Sequence, residues 1–288
     1  MDSDPVTAQT PVKPEYKDLD LEGLKALMKE IVQEEFVEQK SSGGFLRVTD
    51  NGEGDELDTH IGTPTESQFK AIQQLTNSET SAEDWMVVPF TASNNLVDLG
   101  YRRWHQNVLR QMAQGFVGRP HILDHDWYDS ESAVSFIFDV KLINDSGTDS
   151  KTVEMGGFGD YNKEIIENEG YTWVYMCAAI AKTHDAAEAI RTRRYNDCST
   201  GSILNQPRMI CPNCTRDKGR EVDFYETDKN GDYVCPHLIP SRFMFWLFGD
   251  DPDVEFADYA ILDAVHHEAV ELSSCTRGAL PAASVCRD

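Results

Sequence analysis

The sequence predicts a mixed α+β domain, and two observations predict it. From Trp85 onward, β-rich runs alternate with segments of helical period. Hydrophobic residues make up 40% of the 288 residues and aromatics 10%, enough for a sizeable core.

Each element follows from its local pattern. Residues 1–15 are rich in Pro and Asp and predict no regular structure. Residues 18–37 place Leu21, Leu24, Leu27, Met28, Ile31 and Val32 at helical spacing, which predicts an amphipathic helix. Residues 41–83, with the run Asn51-Gly-Glu-Gly-Asp-Glu56 and many Ser, Thr and Gln, have the composition of a linker. The expected division is therefore an N-terminal arm over 1–84 and a folded domain over 85–288. Trp85–Thr91 predicts a strand, and Arg103–Phe116 a helix stopped by Gly118-Arg-Pro120. Ser132–Ile143 alternates and is β-rich; Tyr171–Ala181 predicts another strand, and Asp185–Arg194 a short helix. Tyr259–Leu272 fits either period.

Charge and termini narrow the function classes. The chain carries 26 basic and 50 acidic residues, a formal charge of −24, so it repels nucleic-acid phosphates. The most apolar stretches, such as Phe243–Phe248, have the length of core segments rather than membrane spans. The opening Met-Asp-Ser-Asp-Pro lacks the basic and apolar regions of a signal peptide, which predicts a cytosolic compartment. There, clustered cysteines among the seven present point to metal binding or catalysis rather than to disulfides.

Four residues fit a metal site. Cys211-Pro-Asn-Cys214 puts two thiolates on one tight turn, and Cys235-Pro-His237 supplies two further ligands from a second. Three thiolates and an imidazole, with no position left open, predict a structural zinc knuckle over 208–240. The polar segment between the pairs would need the metal to hold its shape. Cys177 is expected in the core; Cys198, Cys275 and Cys286 have no assigned role.

Three other segments carry a hydroxyl, an imidazole and a carboxylate: Gly118-Arg-Pro-His-Ile-Leu-Asp-His125, Asp197-Cys-Ser199-Thr-Gly201, and Glu271-Leu-Ser273 followed by Pro281-Ala282. A serine hydroxyl becomes nucleophilic when a base of near-neutral pKa removes its proton, and a third group must orient that base. These residue types alone do not select a unique triad. His121, Ser202, His266, His267 and Glu268 fit the same roles, and Arg277 could support an oxyanion.

In order and local wording the three segments resemble the prohead maturation proteases of tailed phages, which are themselves similar in fold to herpesvirus assembly proteases. The matched positions are Gly118, Pro120, Asp124 and His125; Ser199 and Gly201; and Glu271, Ser273, Pro281 and Ala282, with the Cys-x-x-Cys and Cys-x-His pairs in the gap where some members carry them. The resemblance spans roughly residues 85–285. It implies a mostly β, barrel-like domain flanked by helices, with Tyr259–Leu272 as a strand carrying Glu271 inward. It also implies Ser199 as nucleophile, His125 as general base, Glu271 as the orienting group and backbone N–H donors for the oxyanion. The expected partners are scaffold and major capsid proteins and the chain itself, inside an assembling prohead in the host cytoplasm, with room for a homo-oligomer and no role for nucleic acid or membrane. Two features depart from the resemblance: the long acidic, Gly-rich stretch Asn144–Gly170 between His125 and Ser199, and the wording Thr-Gly-Ser-Ile after the nucleophile. A non-catalytic relative serving as a capsid or core component is the alternative.

Overall fold

The computed structural model describes residues 60–76, 79–126, 133–145, 158–192, 194–195, 197–249, 251–275 and the backbone of 284–285. The helix expected over 18–37, and Cys286, Arg277, Pro281 and Ala282, lie outside the described residues. The chain divides into a larger unit, residues 38–210 and 259–288, and a smaller one that contains Cys211–Asp258.

The larger unit is α+β. Its strands are β1 (Trp85–Asn94), β2 (Arg102–Trp104), β3 (Pro120–Leu123), β4 (Ser135–Asp145), β5 (Tyr171–Ala181), β6 (Asp197–Ile210), β7 (Ala260–Cys275) and β8 (Ser284–Val285). Its helices are α1 (Glu66–Thr76), α2 (Gln106–Gly115), α3 (Gly159–Glu169) and α4 (Asp185–Arg191). The strands form one sheet in the order β2-β7-β3-β4-β5-β1-β8-β6, and β6 pairs with β7 as well. A continuous ladder does not close this sheet into the expected barrel, because β1 and β6 are linked through the two residues of β8, by Phe90↔Val285, Thr91↔Ser284 and Asp197↔Ser284.

The β6–β7 ladder matters most for function. It runs antiparallel from Asp197↔Cys275 to Ile210↔Ile261, and its register shifts between Gly201↔Glu271 and Ser202↔Ala269. The extra residue, Val270, forms a bulge, and a bulge re-aims the side chains beyond it. Up to the bulge, Ser199, Gly201, Glu271 and Ser273 share one face of the ladder. Cys198, Leu272 and Ser274 share the other, and all three are buried.

Two expectations change at this level. The predicted helix over Arg103–Phe116 begins later: Arg102–Trp104 is a short strand parallel to β7, and His105 caps the helix by accepting the Asn107 N–H on its Nδ1. More consequentially, the folded domain starts before Trp85, because α1 falls inside the segment assigned to the linker. Thr65 and Gln68 form a reciprocal capping box, with the Thr65 N–H donating to Gln68 Oε1 at 2.8 Å and the Gln68 N–H to Thr65 Oγ1 at 3.3 Å. Ile72 on this helix is fully buried with Val87, Phe138 and Tyr175. The helix contributes few apolar side chains, so composition hides it. Ile72→Ala is expected to cost about 2–5 kcal/mol of unfolding free energy. Chemical denaturation of the full chain checks this; a change below about 0.5 kcal/mol would mean that α1 does not belong to the core.

The smaller unit starts where β6 ends, and the chain re-enters the sheet at β7. It holds α5 (Pro212–Lys218) and α6 (Arg242–Phe248). Val222 and Phe224 are fully buried, and Leu238, Met244 and Phe248 form a small cluster. Asp228 turns the intervening hairpin by accepting the N–H groups of Asn230 and Asp232 on its Oδ1, at 2.7 and 3.1 Å. Among the described residues, no helix is long and apolar enough to cross a membrane.

Candidate active site and metal centre

The active-site candidate is built on β7 and the turn that follows β3. β3 runs parallel to β7, with Ile122 beside Ser273 and Leu123 beside Ser274. The chain then turns, closed by the Asp126 N–H donating to the Leu123 carbonyl at 3.1 Å, while the Asp124 N–H donates to the Ser274 carbonyl at 3.1 Å. Asp124 and His125 both have left-handed backbones, with φ of 50° and 57°. Left-handed non-glycine residues cost roughly 1–3 kcal/mol each and collect where function requires a fixed geometry.

That turn swings His125 over Glu271. His125 Nδ1 lies 2.8 Å from Glu271 Oε1. The imidazole is 41% exposed and the carboxylate 2%. Glu271 Oε2 accepts the Ser273 hydroxyl at 2.8 Å, and Ser273 Oγ accepts the backbone N–H of His125 at 3.0 Å. Glu271 is buried as expected, but not on the Leu272 and Ser274 side of the ladder; the His125 turn covers it from the opposite face. Burial without such partners would strongly disfavour an ionised carboxylate.

Ser199 stands directly across β7 from Ser273, on the Glu271 face, and is half-buried. Cross-strand neighbours hold their Cβ atoms about 4.5–5.5 Å apart, so Ser199 sits one side chain away from the group that anchors His125. Among the described residues, no hydrogen bond joins Ser199 to His125, and His125 Nε2 bonds to no other described group. The arrangement therefore offers an oriented imidazole, with a ring nitrogen that bonds to no other described group, beside a strand that carries a hydroxyl.

The rivals separate clearly. His121 is fully buried, with Nδ1 2.7 Å from Ser135 Oγ and Nε2 2.8 Å from Ser274 Oγ, and burial pushes its pKa down to about 3. It is a neutral core histidine. His267 lies beyond the bulge, 2.7 Å through Nε2 from Ser202 Oγ, and burial pushes it down to about 4. Ser202 and His267 thus engage each other and not the Glu271 face. His266 is exposed on β7, and Glu268 is half-buried opposite Ile203. Cys177 is buried in β5 as expected, Cys198 donates weakly to the Thr91 carbonyl at 3.4 Å, and Cys275 is buried at the end of β7.

The electrostatics of His125 give a prediction. Its hydrogen bond with Glu271 raises the imidazole pKa, partial burial opposes this, and the charges of Glu271 and Asp124 add to the rise. A raised folded-state value means that the pair stabilises the fold below the unfolded pKa of about 6.5 and that this contribution is lost as pH climbs through the folded value. A rate that needs neutral His125 as base should climb over the same interval, above about pH 6.5. NMR titration of the His125 ring should give a midpoint above the ordinary value in the wild type and a lower one in Glu271→Gln. Equal midpoints would show that the carboxylate does not govern the imidazole.

The second centre is in the smaller unit. Cys211, Cys214, Cys235 and His237 are all buried, and their ligand atoms lie within 4.8 Å of one another. His237 Nδ1 is 3.6, 3.3 and 3.7 Å from the sulfurs of Cys211, Cys214 and Cys235. A tetrahedral ion with metal–sulfur bonds near 2.3 Å and metal–nitrogen bonds near 2.0–2.1 Å would set these edges at about 3.6 Å, so the cluster fits a metal ion. Cys211 caps α5 and accepts the Cys214 N–H on its sulfur at 3.4 Å. Gly219 ends that helix in a left-handed conformation, φ 65°, which glycine adopts freely. Contact with Cys235 and burial raise the Cys211 pKa, and burial chiefly raises that of Cys214, so the bare thiols are held protonated until a cation draws the protons off. Glu255, which the sequence reading did not single out, places Oε1 3.4 Å from His237 Nε2, behind the ring.

Comparison with protein families, with curated proteins and with solved structures returns no match for this chain.

Proposed function

We propose that the chain is a serine endopeptidase in which Ser199 is the nucleophile, His125 the general base and Glu271 the group that orients it. The observation that carries this reading is the 2.8 Å contact of His125 Nδ1 with buried Glu271, on the face of β7 that Ser199 shares, with Nε2 unbonded among the described residues. Ser199 Oγ attacks the peptide carbonyl while His125 Nε2 takes its proton. The imidazolium, paired with Glu271, returns that proton to the leaving amine, and water then releases the acyl group by the same route. Backbone N–H groups stabilise the oxyanion.

Among serine peptidases, we place the chain with the prohead maturation proteases of tailed phages. The ordered motifs around His125, Ser199 and Glu271 support this. Its substrates would then be scaffold and major capsid subunits and its own chain, inside the assembling prohead. In the smaller unit the three thiols and one imidazole select Zn²⁺ in a closed, structural role.

A fluorophosphonate probe tests the activity. It should label the wild type at Ser199 and leave Ser199→Ala unlabelled; labelling elsewhere, or none, rules out this assignment. The non-catalytic capsid-component reading is the competitor, favoured by the lack of a hydrogen bond between Ser199 and His125 among the described residues.

A further inference from the structure

We propose that Ser273 is a positioning residue of this site, whose hydroxyl locks the orienting carboxylate and the main chain of the general base into one unit. The inference rests on the peptidase reading given above. Its geometry is a closed ring of hydrogen bonds: His125 Nδ1 to Glu271 Oε1 at 2.8 Å, Glu271 Oε2 to Ser273 Oγ at 2.8 Å, and Ser273 Oγ to the His125 backbone N–H at 3.0 Å.

The ring has a fixed polarity. A backbone N–H can only donate, so the serine oxygen accepts there, and its single proton is committed to the carboxylate. Ser273 is fully buried, so water does not compete for either bond. Glu271 and Ser273 are two residues apart on β7 and face the same way, and each therefore fixes the other. The second bond also holds the left-handed backbone at His125, φ 57°, where a non-glycine residue would otherwise relax. Finally, Ser273 is the register partner of Ser199. One hydroxyl thus connects the position of the imidazole to the strand that carries the nucleophile.

The test uses the full chain with ¹⁵N-labelled histidine, Ser273→Ala, Ser273→Thr, and a fluorophosphonate probe. In the wild type, the His125 Nδ1–H should give a resolved downfield proton signal, and the His125 amide should exchange with solvent many-fold more slowly than the rate of an unstructured chain. Ser273→Ala should lose the downfield signal and react with the probe about 100-fold more slowly, the scale of an approximately 1 Å misplacement. Ser273→Thr, which keeps the hydroxyl, should regain both. A folded Ser273→Ala protein with the signal and the rate of the wild type overturns the proposal. If the alanine variant does not fold, an unprotected His125 amide in the wild type overturns it instead, and a protected one supports it. Failure of the wild type to label at Ser199 would count against the peptidase reading, and the signal and exchange measurements would still decide the ring separately.

Discussion

Replacing Ser199 or His125 by alanine is expected to remove nearly all peptidase activity, each alone costing on the order of 10⁶-fold, because nucleophile and base act as a unit. Glu271→Gln should cost less, about 10⁴-fold, since an amide keeps the contact but stabilises neither the correct tautomer nor the imidazolium. The residual rate would come from substrate binding and the oxyanion donors. Self-cleavage of the purified chain, followed by mass spectrometry, measures all three. Ser202→Ala is the informative control. Ser202 lies beyond the β7 bulge and bonds to His267 Nε2 at 2.7 Å, and His267 Nδ1 has no other partner. That variant should lose about 1–3 kcal/mol of stability by stranding a buried imidazole, yet keep its cleavage rate per folded molecule. The reverse pattern, with Ser202 essential and Ser199 dispensable, would move the active site to the other face of the ladder. Full activity in both variants would leave the non-catalytic reading standing.

Metal removal should unfold the smaller unit. Cys211–Asp258 falls well below the ~70–80 residues at which a single core usually suffices, and its apolar interior rests on a few side chains such as Phe224, Leu238 and Met244. A structural Zn²⁺ in such a setting supplies apparent binding free energies of about 10–16 kcal/mol at neutral pH, which is folding free energy when no preformed site exists. Elemental analysis should therefore find about one zinc per chain. Addition of a strong chelator should abolish the chemical-shift dispersion of residues 211–258 and shift the emission of Trp246, the tryptophan on α6. Cys214→Ser should lower zinc affinity and bring on the same loss at milder chelator concentrations. Metal-free protein with an unchanged spectrum in this segment would show that the four ligands are an ordinary buried cluster. Acidification gives an independent check: thiolate ligands must bind protons again to release the ion, so the unit should become less stable as pH falls.

How much of the molecule was legible in the sequence differs from part to part, for physical reasons. Strands β1 and β5 carry long β-rich apolar runs and were read close to their true bounds. Helix α1 was missed because a single buried isoleucine anchors it, although Thr65-x-x-Gln68 is a capping signature that could have flagged it. Strand β6 was missed because its residues from Asn205 to Arg208 are exposed and its apolar positions are sparse. Ser273 was read only as part of a motif, but its spacing from Glu271 already places both side chains on one strand face. Glu255 has no local signal, because its approach to His237 depends on how the segment after α6 returns.

By itself the sequence determined what is local and chemical. The two cysteine pairs define a soft, four-ligand donor set whatever surrounds them, since ligand type and tight-turn spacing are fixed by the covalent chain. The alternating segments likewise determine a mixed α+β domain. Which histidine meets Glu271 was a tertiary matter. His121 and His125 are four residues apart and chemically alike, yet one has both ring nitrogens buried against hydroxyls, and the other is swung by a left-handed turn onto Glu271. Ser199 and Ser202, three residues apart on β6, face opposite sides of the ladder by alternation, and the bulge at Val270 on β7 is what puts Glu271 on the side of the first and His267 on the side of the second. A one-residue shift in register reverses a strand's faces, and register is set by long-range pairing that no local pattern encodes.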